Sequence, residues 1–179
     1  MRIIAGTCKG RRLEAPSWDG LRPTSDKLRE TLFNVIAARV PGATVLDVFA
    51  GSGALGLEAL SRGASRAVFI ERDRRAAALI ASNAALCGVR ERCVIIRDAA
   101  ARALQNRIDG SPFDLVILDP PYTFDALADV LHAAATHLTP EGLLILEHAT
   151  RRTPPPLSGV TPIRTVRSGD SSLTMFEVS

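Results

Sequence analysis

Val45-Leu46-Asp47-Val48-Phe49-Ala50-Gly51-Ser52-Gly53-Ala54-Leu55-Gly56 places a glycine-rich turn between an apolar, strand-like run and a helical one. Gly51, Gly53 and Gly56 fit the G-x-G-x-x-G spacing, in which backbone without side chains lets a ligand approach a helix amino end at the carboxyl edge of a sheet. Glu71 follows Gly51 by 20 residues, at the end of the next strand-like run, where a carboxylate can accept both hydroxyls of a ribose. Nicotinamide dinucleotides and S-adenosylmethionine both carry an adenosine ribose, so this pair does not separate them. Asp47 helps to do so. It lies inside the strand, four residues before the first glycine, and its charge would oppose a pyrophosphate but suit the ammonium of a methionine moiety. The alternative is a strand-end Asp that caps local amides. Asp98, ending a third strand-like run, can accept from an adenine amino group or serve as a helix N-cap.

Outward from this turn the pattern is regular. Strand-like runs at 44–49, 67–71, 93–97, 113–118 and 143–148 alternate with helical runs near 54–62, 73–87, 99–107 and 124–137. This alternation predicts an α/β, Rossmann-like fold with a mostly parallel sheet covered on both faces. Leu115-Val116-Ile117-Leu118 and Leu143-Leu144-Ile145-Leu146 are continuously apolar, as strands buried on both sides should be. Ahead of this repeat, extended pieces at 2–5 and 11–14 flank a turn at 6–10 and predict a hairpin. A helix then begins near Thr24 or Ser25, with Leu28, Leu32, Val35 and Ile36 as its apolar stripe. After a stiff connector at 153–156 (Thr-Pro-Pro-Pro), runs at 162–167 and 173–178 read as an antiparallel terminal hairpin, which completes seven strands. Residues 1–40 are thus expected to form an extension, and 41–179 the main α/β unit, of one compact body.

The length of 179 residues suits a single domain, and aromatic residues are only 4% of it, so its core must be built from aliphatic side chains and alanine. The longest mostly apolar stretch, 76–87, is broken by Ser82 and Asn83 and falls short of the ~20 residues of a spanning helix. Lys9, Arg11 and Arg12 interrupt the amino end before a signal-peptide core can develop, and a soluble, cytoplasmic protein is expected. Cys8, Cys87 and Cys93 show no zinc or disulfide spacing and read as buried or half-buried free thiols. His132, His137 and His148 form no ligand set, so no metal is expected. Net charge is +3, and residues 1–30 account for all of it, with seven basic against four acidic side chains. A solvated charged face explains this as well as a polyanion-binding surface does, but if the protein meets a polyanion, this segment is the contact.

Asp119-Pro120-Pro121-Tyr122 follows the fourth strand-like run and is the most specific feature in the chain. Two consecutive prolines fix two φ angles and remove two donors, leaving a rigid edge of carbonyl oxygens. An exocyclic purine amine is a poor nucleophile because its lone pair is delocalised into the ring. The Asp119 carboxylate and the Pro120 carbonyl can take its two N–H protons while the lone pair turns toward an electrophilic methyl group. Tyr122, the single tyrosine, supplies a ring on which a flipped base can stack.

These residues resemble the S-adenosylmethionine-dependent methyltransferases whose (Asp/Asn)-Pro-Pro-aromatic motif acts on exocyclic amino groups. Over nearly the whole chain, Arg2-Ile3-Ile4-Ala5-Gly6, Gly10-Arg11, Leu21-Arg22-Pro23-Thr24, Arg29-Glu30-Thr31-Leu32-Phe33-Asn34 and the stretch from Asp47 to Ala64 resemble the RsmD family. That family comprises bacterial 16S rRNA guanine-N2 methyltransferases. The resemblance implies a class I methyltransferase fold. It implies that Asp47, Gly51 and Gly53 hold the methionine part of the cofactor, Glu71 the ribose, and Asp98 with Ala99 the adenine, and that Ala50, Ser52 and Arg72 also belong to the cofactor site. It implies that Asp119, Pro120, Pro121 and Tyr122 hold the guanine, and that Lys9, Arg11, Arg12, Arg22 and Arg29 contact RNA within the small ribosomal subunit. The tail after residue 150 departs from the family pattern. Three other readings remain at this stage. A DNA adenine-N6 methyltransferase would use the same tetrapeptide but needs a recognition module for which 179 residues leave little room. A nicotinamide dehydrogenase has no use for the tetrapeptide, and a non-catalytic RNA-binding assembly factor would keep the fold without methyl transfer.

Overall fold

Strand β1 (Thr44–Val48) pairs in parallel with β2 (Arg66–Ile70) on one side and β4 (Phe113–Leu118) on the other. In the computed structural model, which describes residues 1–18, 25–106 and 108–179, these strands belong to a seven-stranded sheet. The remaining strands are β3 (Cys93–Ile96), β5 (Leu138–Ala149), β6 (Val160–Ser168) and β7 (Ser171–Val178), and the order is β3-β2-β1-β4-β5-β7-β6. The first five run parallel, and β7 and β6 close the edge antiparallel. Chain order runs one way from β1 to β3 and the other way from β4 to β5. The gap between β1 and β4 is therefore the topological switch point, where a crevice opens beyond the strand carboxyl ends.

Strand periodicity divides the core in two. Leu115 and Ile117 join one cluster together with Leu143, Ile145, Leu173 and Met175; Val116 and Leu118 join the other with Leu144, Leu146 and Phe176. Helices α1 (Asp26–Val35), α2 (Ala54–Ser61) and α3 (Arg74–Leu86) cover the first face. Helices α4 (Ala100–Ala103) and α5 (Leu127–Ala135) cover the second. Every residue of α2 is buried, including Glu58, which explains why that helix lacks a polar stripe. Ser25 caps α1 by accepting from the Leu28 N–H at 3.1 Å, and Asp73 caps α3 by accepting from Arg75 at 2.7 Å.

Three boundaries depart from expectation. α4 ends at Ala103, because Gln105 and Asn106 donate to carbonyls three residues back and tighten the turn. α5 begins at Leu127, because the chain after the tetrapeptide turns through a Phe124 N–H to Pro121 carbonyl bond of 2.9 Å. β5 starts at Leu138, five residues early, across an irregularity beside Phe113 and Leu115. A Cβ on Gly142 would lie 2.9 Å from the Thr139 carbonyl oxygen, so the bulge is crowded.

The amino-terminal pieces form a minimal hairpin with one Arg2–Arg12 bridge, and this hairpin docks on α2. Ile4 and Ala5 donate backbone N–H groups to the Glu58 carboxylate at 2.8 and 3.0 Å, and Arg62 donates to it at 2.7 Å. Ile3, Cys8, Leu13, Leu28, Leu32 and Phe33 share the core of the first face, so residues 1–18 and α1 pack as part of the main body. Arg29 corrects an expectation. It is 0% exposed, 3.8 Å from Glu58, and donates to Asp26 and to the Arg2 carbonyl, so it braces the hairpin and cannot meet RNA. Burial lowers its pKa, an effect opposed by Glu58 and Asp26. All three cysteines are buried and free, and burial pushes the Cys87 and Cys93 thiols up to about 11. His137 and His148 are buried and bonded locally, to Leu104 and Ser111 and to Thr174 respectively, while His132 accepts from the Ser158 N–H.

Candidate active site

A cavity of about 460 Å³ lies at the switch point and is bounded by the loops after β1, β2, β3 and β4. Seven of the nine residues expected to hold a cofactor line it: Ala50, Gly51, Ser52, Glu71, Arg72, Asp98 and Ala99. All four residues of the tetrapeptide, Asp119, Pro120, Pro121 and Tyr122, line the same cavity. Asp47 and Gly53 stand behind this wall.

Their placement has a physical cause. The chain leaves β1 through Phe49, whose φ of 63° is unusual for a bulky side chain, and passes Gly51 and Gly53 at φ 56° and 79°. A left-handed Phe stores about 1–3 kcal/mol of strain, held here by the surrounding packing. Gly56 lets α2 sit against β2, since a Cβ there would lie 2.4 Å from the Phe69 ring. The Glu71 carboxylate accepts from the Gly51 N–H at 2.9 Å and the Asp73 N–H at 2.8 Å, which ties the first loop to the second. Each Glu71 oxygen keeps lone-pair capacity for a hydroxyl. Asn83, fully buried on α3, donates to the Ser52 carbonyl at 3.1 Å and to the Glu14 carbonyl at 3.1 Å, and accepts from the Glu14 N–H at 2.8 Å. One amide thus braces the glycine turn and the amino-terminal segment together.

Asp47 accepts from the Gly56 N–H through Oδ2 at 2.9 Å, whereas its buried Oδ1 has no hydrogen-bond partner among the described residues. Burial pushes its carboxyl well above the ordinary range; repulsion from Asp119 and Glu71 adds to this, and the Gly56 bond opposes it. A buried acceptor at a centre crowded with carboxylates suits a positively charged ligand. Asp98 bonds Arg102 and the Ala99 N–H, and the Arg102 bond is the larger cause of its lowered pKa. The Ala99 amide is therefore already engaged.

Several lining residues carried no signal in the sequence reading. Phe49 and Phe124 meet edge to face with centroids 5.1 Å apart, which is why the chain delays α5 to bring Phe124 inward. Trp18 reaches the cavity from the amino-terminal segment with Arg75 stacked 4.6 Å from its ring centre. The Tyr122 hydroxyl is 2.6 Å from the Ser171 hydroxyl, so β7 orients the ring. Glu147, 6% exposed on β5, also lines the cavity. Only pairing across the sheet reveals it; a lone Glu at a strand end has no sequence signature. Of the residues expected to contact RNA, Lys9, Arg11 and Arg12 are exposed on the hairpin, with Arg11 also donating to the Leu86 carbonyl. Arg22 lies outside the described residues.

Residues 1–177 match the family model described as "Conserved hypothetical protein 95". The chain is 40% identical over 149 residues to the ribosomal RNA small subunit methyltransferase D of Escherichia coli strain K12, covering 82% of this chain and 74% of the relative. It is 37% identical over 150 residues to the protein of the same name from Haemophilus influenzae, covering 82% and 78% respectively. Among solved structures, the Escherichia coli protein yhhF superposes with a TM-score of 0.88 at 35% identity, over 100% of this chain and 98% of that one. TrmN from Thermus thermophilus gives 0.70 at 25% identity, over 85% of this chain and 48% of that one.

Proposed function

The chain belongs to the RsmD family and has the class I methyltransferase fold, and from that premise we propose that it methylates the exocyclic N2 amine of a guanine in 16S rRNA, with S-adenosylmethionine as the donor. The observation that carries this reading is the convergence of the glycine turn, Glu71 and Asp119–Tyr122 on one cavity. The small-subunit rRNA named in the relatives' descriptions supports the substrate, and the reaction then belongs in the cytoplasm with ribosome assembly.

The chain's own residues fit the cofactor. Asp47 offers a buried acceptor beneath the glycine turn, Glu71 retains acceptor capacity for ribose hydroxyls, and Asp98 and Ala99 line the end where adenine would lie. Bound there, S-adenosylmethionine would supply a methyl group on a sulfonium, the N–C bond forming as the S–C bond breaks, with S-adenosylhomocysteine as the leaving product. Asp119 and the Pro120 carbonyl hold the two N2 protons and direct the lone pair at the methyl. Positive charge then develops on N2, which Asp119 offsets, and the surplus proton passes to that carboxylate or to water. Tyr122, steadied by Ser171, forms the floor for the base, and Phe49 and Phe124 add an apolar wall that limits water.

The test is transfer of a labelled methyl from S-adenosylmethionine into 30S particles, free 16S rRNA and duplex DNA in parallel, with identification of the nucleoside. N2-methylguanosine in 16S rRNA is the expected product. N6-methyladenine in DNA, or particle binding without incorporation, would replace this reading.

A further inference from the structure

Glu147 occupies the cavity without a task in the chemistry above. Leu118 of β4 pairs with Leu146 of β5, and both face the α4 and α5 side. Alternation turns the next residues, Asp119 and Glu147, toward the opposite side, at the same level on neighbouring strands. Both line the cavity, and the Tyr122 hydroxyl is tied to Ser171, which pairs with Ala149 two residues beyond Glu147. A base seated on Tyr122 therefore meets two carboxylates, one just beyond the end of β4 and one in the neighbouring β5.

The Watson–Crick edge of guanine places two donors side by side, the N2 amine and N1–H. Adenine places a donor beside the bare lone pair of N1. Resting on the guanine-N2 reading, we propose that Glu147 is a specificity-determining residue that accepts the N1–H of the target guanine while Asp119 and the Pro120 carbonyl hold N2. A carboxylate has about four lone-pair sites, so Glu147 can accept this proton beside the contacts it already makes. An adenine turned to present its amine to Asp119 would set the N1 lone pair against the carboxylate of Glu147, a residue only 6% exposed, where little solvent reaches to soften the clash. A site built to hydrogen-bond a donor rejects the analogue that lacks it.

2-Aminopurine keeps the 2-amine but lacks both the N1 proton and O6, so the change in base preference on altering Glu147 is what assigns the N1 contact. It is placed at the methylated position of 16S rRNA by splinted ligation, and the RNA is reconstituted into 30S particles. The wild-type protein should prefer guanine by about 100-fold or more in kcat/KM. Glu147→Gln, whose amide can donate to a bare N1, should narrow that preference to about tenfold or less, with unchanged affinity for S-adenosylmethionine. Equal wild-type rates on the two bases overturn the proposal, as does a Gln variant that slows both in proportion. Should the Gln variant unfold, Glu147→Asp keeps the charge but withdraws it by one methylene; a slower guanine reaction with the preference retained supports the proposal, and an unchanged guanine rate overturns it. A wild-type product other than N2-methylguanosine removes the functional reading itself, whereas failure confined to the variants removes only the role of Glu147.

Discussion

The Asp119 charge helps to raise the pKa of Asp47 behind the cavity wall, and substitutions at the two should separate binding from chemistry. Because the folded pKa of Asp47 is raised, its contribution to stability is intact below the unfolded carboxylate range and is lost as pH rises toward the folded value. The cofactor-free protein is therefore less stabilised at this site at neutral pH than at acid pH. Asp47→Asn, which retains an acceptor for Gly56, should raise Tm at pH 7 by a few degrees, with a smaller gain at pH 4, and should weaken S-adenosylmethionine binding about tenfold; thermal unfolding at both pH values and calorimetric titration check this. Asp119→Ala removes the acceptor of N2 but none of the glycine turn. Turnover should fall about 1,000-fold while cofactor affinity stays within a few fold, measured by single-turnover transfer and equilibrium binding. Loss of cofactor binding in that variant would show that the tetrapeptide has been given the wrong role.

At the scale of elements, the amino-terminal hairpin is held to α2 and α3 by buried polar groups, and each is a point at which an element can be released. Asn83→Ala deprives Ser52 and both backbone groups of Glu14 of their partner. The expected cost is about 1–3 kcal/mol in denaturant unfolding, with weaker cofactor binding because the glycine turn loses its brace. Arg29→Ala leaves Glu58 buried with Arg62 as its remaining ion-pair partner. A loss of about 3–5 kcal/mol is expected, with the salt dependence of RNA binding unchanged; a flatter salt slope in a folded Arg29 variant would return this residue to the RNA surface. The elements themselves were well marked in the sequence. β4 runs from Phe113 to Leu118 as the apolar run requires, while α5 starts later because Phe124 is diverted to meet Phe49. No periodicity can announce that diversion, since it depends on a ring from another loop.

Across the whole molecule, the exposed positive charge of the hairpin and the cavity belong to one packed unit, joined through a shared core. Replacing Lys9, Arg11 and Arg12 with glutamine should weaken RNA binding and reduce the slope of log K against log salt by about 2, as read from filter binding at several salt concentrations; an unchanged slope would place the RNA surface elsewhere. Cofactor binding should hardly change, because none of the three lines the cavity. What the sequence determined by itself was local and periodic: the alternation of strands and helices, the glycine turn, Glu71 at its spacing, and the tetrapeptide whose prolines dictate their own backbone. These are legible because each is fixed by steric and hydrophobic rules acting over a few residues. The tertiary structure alone decided which charges are buried and which loops share a wall. Arg29 has the same charge as Arg12 and sits in the same basic segment, yet one is interred against Glu58 and the other faces solvent. Glu147 stands beside Asp119 only because β5 pairs with β4, a contact between residues 28 positions apart that no local pattern encodes. Burial and long-range pairing are properties of the assembled sheet, and the free energy that selects them is shared among residues that are distant in the chain.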